Sequence, residues 1–167
     1  MQNELLIRTA DTDDINTIGY LAHETWPTAY GATHSAEQIS YMLNLFYAPK
    51  ALAIQMSRDN HRFLVAELND EAVGFASFSV IDVPVTYKLH KLYVLPSLQG
   101  KGVGRLLIDY IIDELKEEKA TALRLNVNRL NAARHFYEKL GFKVIKEEVN
   151  DIGQGYVMDD YVMEKKL

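Results

Sequence analysis

Three glycines at alternate positions, Gly100, Gly102 and Gly104, separate an apolar stretch from a long amphipathic segment. The apolar stretch, Leu89 to Leu95, has the composition of a β-strand and ends at Pro96. After the glycines, apolar residues recur at helical spacing: Val103, Leu106, Leu107, Tyr110, Ile111 and Leu115. Glycines let the backbone approach a ligand without a Cβ atom in the way, and a helix start offers free N–H donors to phosphate. The segment therefore predicts a phosphate- or pyrophosphate-binding turn.

The charge of the chain is unevenly distributed. The formal net charge is −5, yet no Asp or Glu occurs from Val83 to Ile108. The basic and titratable side chains of that segment are Lys88, His90, Lys91, Lys101 and Arg105. A local positive potential suits a small polyanionic ligand. The overall acidity argues against a general nucleic-acid surface, because phosphate backbones need clustered cations.

The composition also excludes several kinds of site. The chain has no cysteine, which excludes disulfides, thiolate metal sites and a cysteine nucleophile. No apolar run approaches the roughly 18 residues of a membrane span, and the first residues do not resemble a signal peptide. No histidine pairs with a carboxylate at ligand spacing, so we expect no metal site. We expect one cytoplasmic α/β domain over residues 1–167, without a nucleic-acid or membrane partner.

Six further apolar runs predict strands: Leu5–Ile7, Arg62–Leu68, Ala72–Ile81, Leu123–Val127, Phe142–Glu147 and Tyr156–Met163. The runs on either side of Asn69-Asp70 read as a hairpin.

Helix signals occur in three further places. Asp11 to Asp14 opens a first helix, and the segment from His23 to Gly31 predicts a break before a second. Ser35, with Gln38 three residues later, caps the second helix, which Pro49 interrupts. Apolar spacing predicts a short helix in the segment Ala133–Leu140, closed by Gly141.

Three nucleotide-binding motifs compete for the glycine segment. A P-loop needs Gly-Lys-Ser/Thr, but Lys101 is followed by Gly102. A dinucleotide fingerprint needs a third glycine at position 105, which holds Arg105. The pattern Gln/Arg-x-x-Gly-x-Gly/Ala is met by Gln99, Gly102 and Gly104. A glycine-rich turn without a ligand is the remaining alternative.

A second motif begins about 30 residues later, at Asn131, and runs through Phe136-Tyr137 to Gly141-Phe142. Together the two segments resemble the GNAT acetyltransferases, whose pyrophosphate-binding signature is the Gln-x-x-Gly-x-Gly pattern. Strand order resembles the family along essentially the whole chain. The resemblance implies the GNAT fold, a mixed, mostly antiparallel sheet of about seven strands flanked by about four helices.

The resemblance also implies that acetyl-CoA is the co-substrate, with no metal. The residues expected to hold it are Leu92, Tyr93, Val94, Gln99, Gly100, Lys101, Gly102, Val103, Gly104, Arg105, Asn131 and Tyr137. Main-chain N–H groups of the glycine segment would bind the pyrophosphate, and Lys101 and Arg105 would add charge. The pantetheine arm would pair with backbone around Leu92 and Val94, where the family's fourth strand separates from the fifth. An amide near Leu92 or Tyr93 would polarise the thioester carbonyl.

Three catalytic residues are predicted. Tyr137 matches the family's general acid, although it can instead only position the sulfur. A base would act directly or through a water, and His90 is the first candidate, because strand alternation places it on the face of Leu92 and Val94. Glu24 is the second, beside Trp26 and Tyr30, which would bind a cationic acceptor through their rings. Each of these residues also has an ordinary structural role. Asp159 and Asp160 could help attract a cationic substrate, but a solvated turn between strands is the favoured interpretation.

The expected function is transfer of an acetyl group to a primary amine of a small, polyamine-like or peptide acceptor. A looser similarity to bacterial spermine/spermidine acetyltransferases favours a small cationic amine. Two alternatives stay open: a non-catalytic acyl-CoA sensor of the same fold, and a mononucleotide-binding domain. Dimerisation is a habit of the family.

Overall fold

A single seven-stranded sheet forms the centre of the molecule in the computed structural model, which describes residues 4–82 and 85–167. The strands are β1 (Leu5–Ala10), β2 (Arg62–Leu68), β3 (Glu71–Asp82), β4 (Thr86–Val94), β5 (Ala122–Asn128), β6 (Lys143–Gly153) and β7 (Tyr156–Lys166). Their order is β1-β2-β3-β4-β5-β7-β6, and every neighbouring pair is antiparallel except β4 and β5. The predicted mixed sheet is confirmed. Val83 and Pro84, at the start of the segment without acidic residues, lie outside the described residues.

Five α-helices surround the sheet, one more than the resemblance implied. They are α1 (Ile15–Tyr30), α2 (Ala36–Tyr47), α3 (Pro49–Ser57), α4 (Val103–Glu117) and α5 (Ala133–Lys139). Ser35 caps α2 as predicted, with its hydroxyl accepting a hydrogen bond from the Gln38 amide at 3.1 Å. Pro49 interrupts the helix predicted from Ser35 onwards and is itself the first residue of α3, because a first helical residue needs no N–H donor. Within the described ranges, no helix is long and apolar enough to span a membrane.

The break predicted between His23 and Gly31 is wrong. Helix α1 runs through this segment and ends at Gly31, whose amide donates to the Pro27 carbonyl at 2.8 Å. A buried stripe continues along it: Ile18, Leu21, Ala22, Thr25 and Trp26. Pro27 and His23 are exposed, so the helical hydrogen bond that Pro27 cannot donate is lost on the solvent side. Burial of the opposite face outweighs that loss.

Each face of the sheet carries its own core. On one face, which we call the α4 face, α4 and α5 pack against strand residues such as Phe78, Leu125 and Met163. On the other, the α1 face, α1 to α3 pack against Phe63 and Phe75. Burying apolar area on both sides of a sheet is the main source of its stability.

Strands β4 and β5 separate partway along their length. They pair in parallel only where residues Thr86–Leu89 of β4 lie beside residues Ala122–Leu125 of β5. Beyond that point β4 stays paired with β3 as far as Val94, and β5 stays paired with β7 as far as Asn128. A gap therefore opens between the two strands at the end from which the glycine segment leads into α4.

Candidate active site

The glycine segment is shaped to expose main-chain donors. Gly100 (φ 79°) and Gly102 (φ 84°) adopt left-handed backbone, and at both positions an added Cβ would meet no atom within 4 Å. Gly102 caps the N-terminus of α4 without a side-chain hydrogen bond. The amides of the first helical turn have no helical acceptor and are open to a ligand. The Lys101 amide is already used, since it donates to the Leu98 carbonyl at 3.3 Å.

In the glycine loop, exposed side chains supply positive charge and a buried side chain supplies the packing. Lys101 and Arg105 are exposed, and Arg105 lies 3.8 Å from Asp109 one turn along α4. Val103 is 3 % exposed and anchors the loop in the core of the α4 face. A buried anchor with two exposed cations beside free amides suits a polyanion such as a pyrophosphate.

Gly104 links the loop to the gap. A Cβ atom there would lie 3.5 Å from Phe136, 3.9 Å from Val94 and 4.0 Å from Leu92. The first turn of α4 thus lies directly against the exposed edge of β4 and the ring of α5. A Cβ atom at this position would make ordinary van der Waals contacts with these three side chains.

The hydrogen-bond register of β4 decides which amides face the gap. The Leu95 amide donates to the Val73 carbonyl on β3 at 2.9 Å. Amides alternate in direction along a strand, so the Tyr93 amide also faces β3, while those of Leu92 and Val94 face the gap. Gly74 supports this, since its Cβ position lies 3.0 Å from the Tyr93 carbonyl oxygen. Of the two predicted amides, Leu92 is the one that reaches the gap.

Tyr137 lies on the α5 side of the gap. Its side chain is 9 % exposed and its ring packs against Phe136 and Phe142 at 5.3 and 5.8 Å. Burial, with a smaller effect of Tyr30, raises the pKa of its phenol above the usual 10. Within residues 4–82 and 85–167 the hydroxyl has no hydrogen-bond partner. It is therefore a protonated donor that remains available to a ligand.

Asn131 begins α5. Its side-chain oxygen accepts a hydrogen bond from the Ala133 amide at 2.8 Å, which is the capping role predicted for it. The residue follows β5 closely and so stands at the same end of the gap as Tyr137. Among the residues that the structure describes, its side-chain amide nitrogen has no hydrogen-bond partner.

The aromatic residues of α1 form a buried wall on the α1 face. The Trp26 and Tyr30 ring centroids are 4.6 Å apart, and the Tyr30 hydroxyl lies 2.7 Å from that of Tyr93. Trp26 is 3 % exposed and packs as core. Glu24 is exposed and, two positions before Trp26, points to the opposite side of the helix. The structure therefore brings Trp26 and Tyr30 together and leaves Glu24 outside.

The predicted face of His90 is wrong. Pairing between β3 and β4 shifts register so that Ser77 faces Lys91 and Phe78 faces Leu89, which leaves His90 in a β-bulge. Leu89 and Leu92 both contribute to the α4 face, whereas His90 and Lys91 turn to the α1 face. The bulge adds one residue and reverses the alternation that the sequence alone suggests.

His90 is also a poor base where it stands. It stacks on His61 at a centroid distance of 3.9 Å, and its Nε2 lies 2.6 Å from the Ser79 hydroxyl. Burial, then the charges of His61, Lys88 and Lys91, lower its pKa from 6.5 to about 3. The imidazole is neutral at physiological pH but has little affinity for a proton.

A cleft of about 470 Å³ opens between the α1–α2 loop and the β6–β7 turn. It is lined by Thr33, His34, Gln38, Asn128, Arg129, Leu130, Gly155, Tyr156, Val157 and Asp159. Asn128 is the last residue of β5, so the cleft adjoins the open end of the gap. Sequence reasoning missed this cleft, because its walls come from loops far apart in the chain.

Asp160 was predicted to lie in a solvated turn, and this is wrong. It lies within β7, is 2 % exposed, and pairs across the strands with Asn128. Burial raises its pKa above the usual value. Alternation could have identified it, because Tyr161 and Met163 belong to the α4 face and Asp160 must face the other way.

The described residues contain no group of three or more His, Asp or Glu side chains close enough to hold a metal ion. Of the other four histidines, His61 stacks on His90. The remaining three, His23, His34 and His135, lie apart from this pair.

Comparison with known proteins agrees with this geometry. The model of the acetyltransferase (GNAT) domain matches residues 31–164. The chain therefore belongs to the GNAT acetyltransferase family and is an acetyl-CoA-dependent N-acetyltransferase.

The chain is similar to two curated relatives with different acceptors and to a solved structure. A spermidine N(1)-acetyltransferase of Thermoplasma acidophilum is 28% identical over 165 residues, which are 96% of this chain and 96% of the relative. The ribosomal protein bS18-alanine N-acetyltransferase of Escherichia coli K12 is 31% identical over 131 residues, 77% of this chain and 81% of the relative. The PaiA N-acetyltransferase of Thermoplasma acidophilum, solved with coenzyme A, superimposes with a TM-score of 0.83 at 28% identity, covering 98% and 99% of the two chains.

Proposed function

We propose that the enzyme acetylates a primary amine of a small, polyamine-like acceptor, by direct attack of the amine on the thioester. A peptide amine is the second candidate, favoured by the similarity to the bS18-alanine acetyltransferase. The observation that carries the mechanism is the gap between β4 and β5, with the Leu92 amide on one side and the Tyr137 hydroxyl on the other.

The chain's own residues fit acetyl-CoA, which supplies the thioester when bound. Amides from Gly102 to Arg105 bind the pyrophosphate, and Lys101 and Arg105 add positive charge. The amides of Leu92 and Val94 and the side chain of Asn131 hold the pantetheine arm. The Cβ-free positions of the loop support this, because the space beside them is open.

Charge that builds on the thioester oxygen needs a donor already in place. We assign this donor to the Leu92 amide, because it faces the gap and Tyr93 does not. One such donor is worth about 3–4 kcal/mol in comparable acyl transfers.

The leaving sulfur needs a proton, and Tyr137 is the proposed donor. Its raised pKa keeps the phenol protonated until negative charge develops beside it. Positioning of the sulfur by the same hydroxyl is the alternative role.

The acceptor amine must be neutral to attack. For an amine of pKa about 10.4, deprotonation at pH 7 costs about 4.6 kcal/mol. Neither candidate base suits a direct role: Glu24 is exposed away from the gap, and the pKa of His90 is only about 3. We propose that the proton leaves through water in the cleft.

The test is an assay of thiol release with acetyl-CoA and a panel of amines: diamines, amino-sugars, free lysine and peptides with a free α-amine. Release that depends on the amine supports the proposal. Coenzyme A binding without release across the panel would instead identify an acyl-CoA sensor.

A further inference from the structure

Asp160 is a buried carboxylate whose hydrogen bonds are incomplete. Its Oδ2 accepts one weak hydrogen bond from the Asn126 side chain at 3.3 Å. Its Oδ1 is buried and, within the described residues, has no donor. Leaving an ionised oxygen buried without a partner is costly, and proteins usually meet that cost with a cation or a donor. A cation or hydrogen-bond donor from outside the chain would remove that cost.

The surrounding charges do not supply that partner. On β6, Glu148 is held by Asn126, Asn150 and Lys146 at 2.8, 3.0 and 3.8 Å. On β7, Asp159 pairs with Arg129 at 3.2 Å. On β4, Lys88 acts on Asp160 through its charge, but no ion pair within 4.0 Å joins them among the described residues.

Asp160 also adjoins the cleft. Its cross-strand partner, Asn128, lines the cleft. Burial lowers the pKa of His34, another lining residue, and the charge of Asp160 opposes that shift. Thus a negative charge without an ion-pair partner lies directly behind the lining of the cleft, next to Asn128 and near His34.

The position of Asp160 relative to the reacting centre sets its role. Burial, and to a smaller extent Asp160, raises the pKa of Tyr30. Burial and then Tyr30 raise the pKa of Tyr137. Tyr30, whose hydroxyl lies 2.7 Å from that of Tyr93 on β4, is therefore near enough to Asp160 and to Tyr137 to interact with both. An acceptor that enters the gap past Tyr30 would bring its far end towards Asp160.

We propose that Asp160 binds a second ammonium group of the acceptor, so that the enzyme selects amines carrying another cationic group several ångströms from the reacting nitrogen. This inference rests on the proposed acetylation of amines. It assigns a specificity role to a residue of β7 and names the acceptor class as diamines and longer polyamines.

The first test compares three acceptors with a four-carbon skeleton on the wild-type enzyme: butane-1,4-diamine, butylamine and 4-aminobutanoate. They place an ammonium, a methyl group and a carboxylate at the far end. We expect kcat/KM for the diamine to exceed that for butylamine by roughly 10- to 100-fold, since a hydrogen bond to a charged group is worth about that factor. The amino acid should be the poorest of the three. Equal kcat/KM for diamine and butylamine overturns the proposal.

The second test uses Asp160→Asn, which keeps the shape of the side chain and removes its charge. The advantage of diamine over butylamine should fall to within about threefold, mainly through KM for the diamine. The control is Glu164→Gln on the same strand, which removes a carboxylate whose charge Arg124 already pairs at 2.6 Å. That variant should keep the wild-type ratio. An unchanged ratio in Asp160→Asn overturns the proposal.

Coenzyme A affinity and the thermal melting curve are measured for each variant. They show that Asp160→Asn is folded and still binds the co-substrate. If that variant does not fold, the wild-type acceptor series decides alone. Failure of the wild-type enzyme to acetylate any amine would overturn the proposed function itself. Transfer without preference for a second ammonium would overturn only the role of Asp160.

Discussion

The hydroxyl of Tyr30, at the end of α1, lies 2.7 Å from the hydroxyl of Tyr93 on β4. Burial raises the pKa of both phenols, so the pair is a neutral hydrogen bond. It ties the C-terminal end of α1 to the strand that borders the gap. The acceptor cleft begins just beyond that helix, so this contact fixes one wall of the cleft relative to the site of transfer.

We expect Tyr30→Phe and Tyr93→Phe each to lower the free energy of unfolding by about 1–3 kcal/mol, because each leaves a buried hydroxyl without its partner. The double variant should lose less than the sum of the two, with a coupling of about 0.5–3 kcal/mol. Urea unfolding of the four proteins measures this. Tyr20→Phe is the control, since Tyr20 is 60% exposed on the same helix. Additive losses would contradict the contact.

Tyr137→Phe should lower kcat by about 10²- to 10⁴-fold and leave coenzyme A affinity unchanged, because only the proton donor is removed. Steady-state kinetics and calorimetry with coenzyme A separate the two quantities. Tyr110→Phe on α4 provides a matched control with a phenol outside the gap. If coenzyme A affinity falls as much as kcat, the hydroxyl positions the sulfur and the acid role is wrong.

Gly102→Ala should weaken coenzyme A binding at least about tenfold, since a Cβ atom would stand where the loop's amides meet the pyrophosphate. It should also cost about 1–2 kcal/mol of stability, because its φ of 84° is left-handed. Gly155→Ala is the matched control: its φ is 79° and its Cβ space is equally open, but it lies in the β6–β7 turn. That variant should lose similar stability and keep its coenzyme A affinity. Equal affinity losses would place the binding loop elsewhere.

Lys91, in the β4 bulge, is largely buried above the rings of Tyr47 and Phe63 at 5.3 and 5.8 Å. In the part of the chain that the structure describes, it has no ion pair. Burial, then Lys88, lowers its pKa from 10.5 to about 8. Holding the ammonium charged therefore costs about 3 kcal/mol below pH 8.

We expect Lys91→Met to be more stable than the wild type at pH 7, by about 1–3 kcal/mol. The native amine is deprotonated above pH 8 while the unfolded one keeps its proton to about 10.5, so wild-type stability rises across that window. The advantage of the variant should shrink between pH 8 and 10.5. Chemical denaturation at pH 7 and pH 10 measures this, and an advantage that does not change with pH would argue against a buried charge.

The lowered pKa of His90 predicts how the stability of the protein changes at acidic pH. Its folded pKa of about 3 lies below the unfolded value of 6.5, so the native state binds fewer protons. Wild-type stability should therefore fall as pH decreases from 6.5 towards 3. His90→Asn should lose less stability over the same range, and the ring resonances of His90 should stay in the neutral form at pH 5. Titration of His90 near 6.5 would contradict its burial.

The strand, the glycine turn and the helix that follows could be predicted because each has an independent local signal. Pro96 ends the strand, the glycines allow left-handed backbone, and Val103 begins a regular helical stripe. The hairpin at Asn69-Asp70 is similar: both residues adopt the left-handed backbone, at φ 52° and 67°, that its tight turn requires. Local chemistry decides these elements.

The errors concern properties that depend on distant residues. The face of His90 depends on a bulge whose position is set by pairing with β3. The continuity of α1 through Pro27 depends on what its buried side packs against. Two adjacent aspartates look like a turn until Tyr161 and Met163 are known to face a core. The cleft itself joins loops more than a hundred residues apart, such as those of Thr33 and Tyr156.

The parallel seam between β4 and β5 is only four residue pairs long, from Thr86 to Leu89. In the described sheet it is the one strand contact between β1–β4 and β5–β7. A molecule lying in the gap therefore bridges β4 and β5 beyond the point where the two strands stop pairing with each other. A donor substrate bound there would contact both parts of the sheet, beside the cleft that the acceptor is expected to enter.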